Sequence, residues 1–250
     1  MNRRKLLGTV FPRKTIFQFL TLVAIAALVL SGCTPSGGAD VVSSGPNATT
    51  IPTLDGSAVV EMVINGEPVN VEINGEYAPI TAGNFVDLVE KGFYDGVSFH
   101  RVVRQPEPFV VQAGDPQSKD PDFPAERLGT GGYVDPGTGS PRYIPLEIAP
   151  EGADGPIYSQ PFSTAGITES PQLPHTRGAI AMARSNAPDS ASSQFYIALS
   201  DLSFLDGEYA VFGYVEDGDM AVVDGIEQGD RVESARVVSG LDNLRRGEDG

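Results

Sequence analysis

Between Phe99 and Asp115 the chain reads Phe-His-Arg-Val-Val-Arg-Gln-Pro-Glu-Pro-Phe-Val-Val-Gln-Ala-Gly-Asp. β-Branched and aromatic residues make two short runs of strand character, Val97–Val103 and Phe109–Gln112, joined by a proline-bearing turn at Gln105–Pro108. This stretch constrains the fold more than any other, because Arg101 and Gln112 interrupt an otherwise apolar pattern. A guanidinium and a carboxamide at the rim of an apolar surface are costly unless they are paired or used. A second stretch, Gly178–Leu199, mixes residues in the same way and is expected to face the first.

Reading the period outward gives the frame. Ala58–Ile64 and Val69–Ile73 read as strands around Asn65-Gly66-Glu67-Pro68, a turn that suits a hairpin. Ala78–Gly92 changes to helical spacing. Pro79 stands in a first turn that tolerates proline, Ile80, Phe85, Leu88 and Val89 share one broad face, and Gly92 is the expected stop. Further strands are expected at Ala179–Ala183, Gln194–Leu199 and Tyr209–Val215, then a short helix over Met220–Glu227 and a last strand over Arg231–Val238. Short strands at close spacing with only two helices predict a mainly β domain over 58–241, a closed or nearly closed antiparallel barrel. Gly114–Thr176 is irregular and rich in proline and glycine, with a weak strand signal only at Tyr143–Ile148. Loops of this length are usually functional or partly disordered, and this one is expected to run along one side of the barrel and narrow or extend a groove.

The first 32 residues read as an export segment. Arg3, Arg4, Lys5, Arg13 and Lys14 precede an apolar run from Ile16 to Leu30 that is short for a membrane span and suits a signal-peptide core. The run ends in Leu30-Ser31-Gly32-Cys33, which resembles the bacterial lipobox, so Cys33 is the expected lipidation site. It is the only cysteine, and an internal disulfide is therefore excluded. Removing the leader's five positive charges from a formal net of −16 leaves −21 on the remainder. Such a surface repels nucleic acid and anionic headgroups, so attachment to a membrane would come from lipid alone. Residues 33–57, rich in Ser, Thr, Gly and Pro, read as a tether, and 242–250 as a tail. The expected location is the cell envelope, facing the periplasm.

The inventory of reactive groups is spare. Two histidines, His100 and His175, with one cysteine cannot build the usual structural zinc site, so no metal is expected. Nucleophile elbow, P-loop and dinucleotide fingerprint are all missing, and no cofactor is expected. His100 reads as a histidine packed on the core rather than as a base. One reaction needs neither nucleophile nor base: rotation about a prolyl peptide bond, whose barrier of ~18–20 kcal/mol reflects amide resonance. In the twisted transition state the prolyl nitrogen gains a lone pair, which a fixed donor can bind. An arginine in an apolar wall, beside aromatics and a glutamine, supplies those parts.

Phe99-His100-Arg101-Val102-Val103 with Phe109-Val110-Val111-Gln112-Ala113-Gly114-Asp115 resembles the signature of the cyclophilin family of peptidyl-prolyl cis-trans isomerases. Gly178–Arg184, Asp189–Ile197, Phe204–Gly207 and Tyr209–Gly213 resemble its later signatures in matching order, from roughly Val59 to Val238. The resemblance implies a closed eight-stranded antiparallel barrel capped by two helices. It implies Arg101 as the catalytic arginine and Gln112 as the glutamine that orients it and touches the substrate backbone. Phe99, Phe109, Val110, Gln194, Tyr196 and Leu205 are implied to contact substrate, Ala183 and Arg184 to present backbone to the peptide, and Phe204 and Tyr209 to close the rim. The implied partners are proline-containing polypeptides, met by a monomer that assists folding of exported proteins. A module that binds proline segments with little turnover is the alternative.

This chain departs from the family pattern at several positions. Val110 stands where methionine is usual, Tyr196 where phenylalanine is, and Tyr209 where many members have histidine. Phe204 replaces a tryptophan associated with tight cyclosporin binding, which implies weak affinity for that drug. Ala113 replaces a glycine, and the turn before Phe109 is longer than usual. A hydroxyl on Tyr196 needs a partner if it is buried.

Overall fold

The computed structural model describes residues 51–247. The expected leader, Cys33, most of the expected tether and residues 248–250 lie outside the described residues. In chain order the elements are β1 (Thr53–Leu54), β2 (Ser57–Ile64), β3 (Glu67–Asn74), α1 (Pro79–Glu90), β4 (Arg101–Val103) and β5 (Val110–Ala113). After these come β6 (Glu147–Ile148), β7 (Ile157–Tyr158), α2 (Phe162–Ala165), β8 (Ala179–Met182), β9 (Phe195–Ala198) and β10 (Val211–Val215). The chain closes with α3 (Met220–Gly225), β11 (Val232–Ser239) and β12 (Leu244–Arg245).

Eight strands form one antiparallel sheet in the order β11-β2-β3-β10-β8-β9-β5-β4. Residues 96–99, just ahead of β4, bond to residues 229–232, which lead into the start of β11. Gly96 N–H donates to Val232 O at 2.7 Å, Val232 N–H to Val97 O at 2.9 Å and Phe99 N–H to Asp230 O at 2.7 Å. The two outer strands are thereby joined, and the sheet curls round an interior. The hairpin between β2 and β3 is tight because Asn65 and Gly66 both take positive φ, 53° and 78°, the combination that matches strand twist in a two-residue turn.

Inside the curl α1 inserts Phe85, whose ring lies 5.0 Å from Tyr94, 5.5 Å from Phe195 and 5.1 Å from Phe212. Pro79 opens the helix where a missing N–H costs nothing, and Ala78 offers no side-chain cap. The cap comes from β6 instead: Glu147, fully buried, accepts from Ile80 N–H at 3.1 Å and Thr81 N–H at 2.8 Å. Burial raises the Glu147 carboxyl above its ordinary value, and those two donors pull in the other direction. The irregular segment thus supplies a distant N-cap, a role invisible to local periodicity.

Strands β5, β8 and β9 are apolar on both faces, which explains their nearly unbroken hydrophobic sequences. Val111, Ala113, Ile180, Met182, Phe195 and Ile197 face the interior core. Val110, Ala179, Ala181, Tyr196 and Ala198 belong to a second cluster with Leu202 and Val211. Alternation along each strand places that second cluster on the opposite face of the sheet.

The β1–β12 pairing extends the ordered domain beyond 58–241 on both sides. Thr53 pairs with Arg245 and Leu54 with Leu244, and Leu54 is fully buried. Two-residue strands carry too little pattern to be read from sequence, and Leu54 owes its place to α1 rather than to a period.

Candidate active site

Register builds the site. Arg101 pairs with Gln112, Gln112 with Tyr196, Tyr196 with Ala181 and Ala181 with Val211, one row across β4, β5, β9, β8 and β10. Directly opposed residues in a sheet share a face. The two polar side chains that interrupt the apolar pattern therefore stand beside one another, at the edge of the second cluster. The Arg101 Nη1 group donates to Gln112 Oε1 at 3.2 Å, and Gln112 Nε2 donates to Gln194 Oε1 at 3.1 Å. Gln194 Nε2 in turn donates to Gly131 O at 2.7 Å.

A pocket of about 250 Å³ opens beside this row, lined by Arg101, Phe109, Val110, Gln112, Ala183, Arg184, Tyr196, Leu205 and Tyr209. Arg101 stays exposed, with its guanidinium carbon 5.5 Å from the centre of the Phe109 ring. Phe204 lies nearly parallel to Phe109 at 6.0 Å and is 68% exposed, so it forms an outer rim rather than a lining. Tyr209 stands edge-on to Tyr196 at 6.0 Å. The Arg184 guanidinium lies 4.7 Å from the centre of the Tyr209 ring and donates to Glu208 O, from Nε at 3.1 Å and from Nη2 at 2.7 Å. These bonds tie the guanidinium to the backbone of the loop carrying Leu205 and Tyr209. The hydroxyl of Tyr196 meets His175 Nε2 at 3.0 Å, which supplies the partner that its burial requires.

Two expected contacts fall elsewhere. Phe99 is fully buried in the interior core and does not line the pocket. The backbone changes partner between Phe99, bonded to residues 229–230, and Arg101, bonded to β5, so strand alternation does not carry from one to the other. Gln194 lines a neighbouring groove of about 710 Å³ and touches the pocket only through Gln112. His100, just ahead of β4, has both ring nitrogens shielded and unpartnered, and burial lowers its pKa below the ordinary imidazole value, which favours the neutral ring.

The larger groove shares Gln112, Ala183 and Arg184 with the pocket and takes its far wall from the irregular segment, at Gly129–Val134, Pro141 and Tyr143. Asp115 holds that wall. Fully buried, it accepts from Gln117 N–H at 2.9 Å, Gly129 N–H at 2.6 Å and Gly131 N–H at 3.1 Å. The sequence signal for this role was Asp115 itself, a charged residue closing an apolar strand before a long loop.

A pocket with an apolar floor, one exposed cation at its rim and a carboxamide holding that cation offers grip and a directed donor. The family profile described as cyclophilin type peptidyl-prolyl cis-trans isomerase/CLD matches residues 59–245. A protein of Synechocystis sp. named as a thylakoid-lumen peptidyl-prolyl cis-trans isomerase is 41% identical over 208 residues, covering 79% of this chain and 51% of that protein. A chloroplast peptidyl-prolyl cis-trans isomerase of Arabidopsis thaliana is 40% identical over 212 residues, covering 78% and 45%. The chain thus spans about half the length of these two relatives. A Helicobacter pylori peptidyl-prolyl cis-trans isomerase is 33% identical over 180 residues, covering 71% of this chain and 86% of that one. The fold matches the crystal structure of a Cryptosporidium parvum cyclophilin with a TM-score of 0.54 at 24% identity, over 73% of this chain and 98% of that one. On the extent of the profile match and the 33% identity over most of the Helicobacter pylori protein, the chain belongs to the cyclophilin-type peptidyl-prolyl cis-trans isomerase family.

Proposed function

We propose that this protein accelerates cis–trans exchange of Xaa-Pro bonds in polypeptides. The observation that carries the reading is the Arg101–Gln112 pair fixed at the mouth of an apolar pocket. The proline ring lodges against Phe109, Val110, Tyr196 and Leu205, leaving the residue before it free to turn. As the amide twists, resonance is lost and the prolyl nitrogen acquires a lone pair, toward which the guanidinium donates. Gln112 keeps the fork aimed, so little reorganisation is needed at the moment of rotation. A charged hydrogen bond worth about 1.5–3 kcal/mol gives roughly one to two orders of magnitude in rate. Arg101 is exposed in the free protein, and its full worth is reached only when peptide covers it and excludes water.

The substrates are exported polypeptides, and the protein is tethered to the envelope by lipid at Cys33. This part of the reading is supported by the basic leader, the apolar run and Leu30-Ser31-Gly32-Cys33. Labelling with radioactive palmitate tests it: label should enter the parent and not Cys33→Ser, and label in both would refute the anchor. The activity is tested by exchange NMR on a short Xaa-Pro peptide. The parent should broaden or exchange the cis and trans signals while the peptide shifts amides of Gln112, Ala183 and Tyr196. Peptide binding there without faster exchange would favour a binding module and overturn the enzymatic reading.

A further inference from the structure

Among the buried ionisable groups that the isomerase mechanism leaves unused, one lies against the pocket wall. His175, 2% exposed, precedes β8 by four residues and lines neither the pocket nor the groove. It nonetheless touches both halves of the pocket wall. Its backbone N–H and its Nδ1 both reach Asp206 Oδ1, at 2.7 and 2.8 Å, and its carbonyl accepts from Leu202 N–H at 2.7 Å. Those contacts fasten both ends of the turn at Ser203–Leu205, which carries Phe204 and Leu205. On its other side Nε2 meets the hydroxyl of Tyr196 at 3.0 Å, with the two ring planes only 12° apart.

The chemistry of the chain fixes the proton. A carboxylate only accepts, so Nδ1 carries the hydrogen and Nε2 keeps its lone pair. Tyr196 therefore donates to Nε2, and its hydroxyl is turned away from any peptide in the pocket. The tyrosine offers substrate an aromatic face, while its oxygen anchors that ring to the turn bearing Leu205. We infer that His175 is a positioning residue for the proline pocket, linking the Tyr196 floor to the Phe204–Leu205 wall through an Asp206–His175–Tyr196 hydrogen-bond chain. The inference rests on the proposed isomerase reading and adds to it the device that sets the width of the pocket.

The loss of such an anchor loosens the grip on the ring alike in the ground state and the transition state. Uniform binding of that kind appears in KM and leaves kcat in place. His175→Asn keeps a donor near Asp206 and loses the bond to Tyr196. Tyr196→Phe keeps the ring and loses only the hydroxyl. Each should raise KM for a short Xaa-Pro peptide, and its Kd in an NMR titration, by about 3–10-fold, the worth of one neutral buried hydrogen bond. The kcat should change by less than about twofold, and the double variant should be no weaker than the worse single one, because both remove the same bond. Tyr214→Phe is the control: it removes a neighbouring hydroxyl bond, to Pro174 O at 2.8 Å, outside the pocket. It should leave KM unchanged even if the melting temperature falls. If His175→Asn does not fold, Tyr196→Phe decides alone. Unchanged KM and Kd in a folded Tyr196→Phe, or an equal rise in Tyr214→Phe, would overturn the role of His175 while leaving the isomerase reading intact. A parent that binds no proline peptide would overturn both.

Discussion

The carboxylate of Asp115 is one of the points at which the irregular segment is held against the rest of the domain, and Asp115→Asn tests how much depends on it. The substitution preserves volume and replaces one oxygen by an amide donor. In the better of the two orientations the remaining oxygen keeps Gly129 N–H and Gly131 N–H, and the new donor faces Gln117 N–H. Leaving one buried donor unpaired costs about 1–3 kcal/mol, and two charged hydrogen bonds becoming neutral cost roughly 1–2 kcal/mol more, a loss of about 2–5 kcal/mol. For a domain of this size that corresponds to a fall of about 4–20 °C in melting temperature. The effect should reach the site as well, because Gly131 O holds Gln194, Gln194 holds Gln112, and Gln112 holds Arg101. Calorimetry at neutral pH and peptide exchange on the same samples provide the two readings, with kcat/KM expected to fall several-fold at a temperature where the variant is folded. A melting temperature within about 1 °C of the parent would refute the reasoning, since a fully buried carboxylate with three donors cannot lose a charge at no cost.

Asp87, with a fully buried side chain, binds Lys91 at 2.6 Å, Arg142 at 2.8 Å and Arg246 at 2.7 Å. Asp87→Ala strands the nearly buried Arg142 and should cost about 3–5 kcal/mol in denaturant unfolding; a loss below about 1 kcal/mol would contradict this. Burial tends to raise the Asp87 carboxyl, and its three donors outweigh that and hold it below the ordinary value. Its stabilising contribution is thus complete above about pH 4 and is lost as pH falls through its depressed value, so the acid unfolding midpoint should move to higher pH in Asp87→Asn. Burial keeps His175 below its ordinary pKa despite Asp206, with Tyr196 and, beyond it, Tyr209 and Arg184 completing its surroundings. The unfolded chain therefore binds a proton first as pH drops below about 6.5, and stability should decline from there toward the lowered folded value. His175→Asn should flatten that slope by up to about 1.4 kcal/mol per pH unit, and parallel melting curves for parent and variant would contradict it. Arg101→Lys should recover little of the rate lost in Arg101→Ala, because a point charge replaces a planar fork; near-parental exchange would show that charge alone suffices.

The parts of the molecule that were legible in the sequence are those where the pattern is local. The β2–β3 hairpin announced itself through Asn65-Gly66, α1 through Pro79 and the spacing of Phe85, Leu88 and Val89, and the site through two polar residues in apolar runs. Register then did what composition could not, placing Arg101 opposite Gln112 and Gln112 opposite Tyr196. The features that escaped notice are contacts between residues far apart in the chain, which impose no period on either partner. Glu147 caps α1 across 67 positions, Tyr196 finds His175 across 21, and Leu54 pairs with Leu244 through strands of two residues. Phe99 misled for a different reason: it shares strand parity with Arg101, but the backbone switches neighbours between them.

The most direct test compares Arg101→Ala with the parent in exchange NMR on a short Xaa-Pro peptide. An exposed side chain can be truncated with little effect on stability, within about 0.5 kcal/mol, so the melting temperature serves as a control for folding. The account predicts a loss of about 10–100-fold in catalysed exchange with the fold preserved. Equal exchange rates for parent and variant would contradict it.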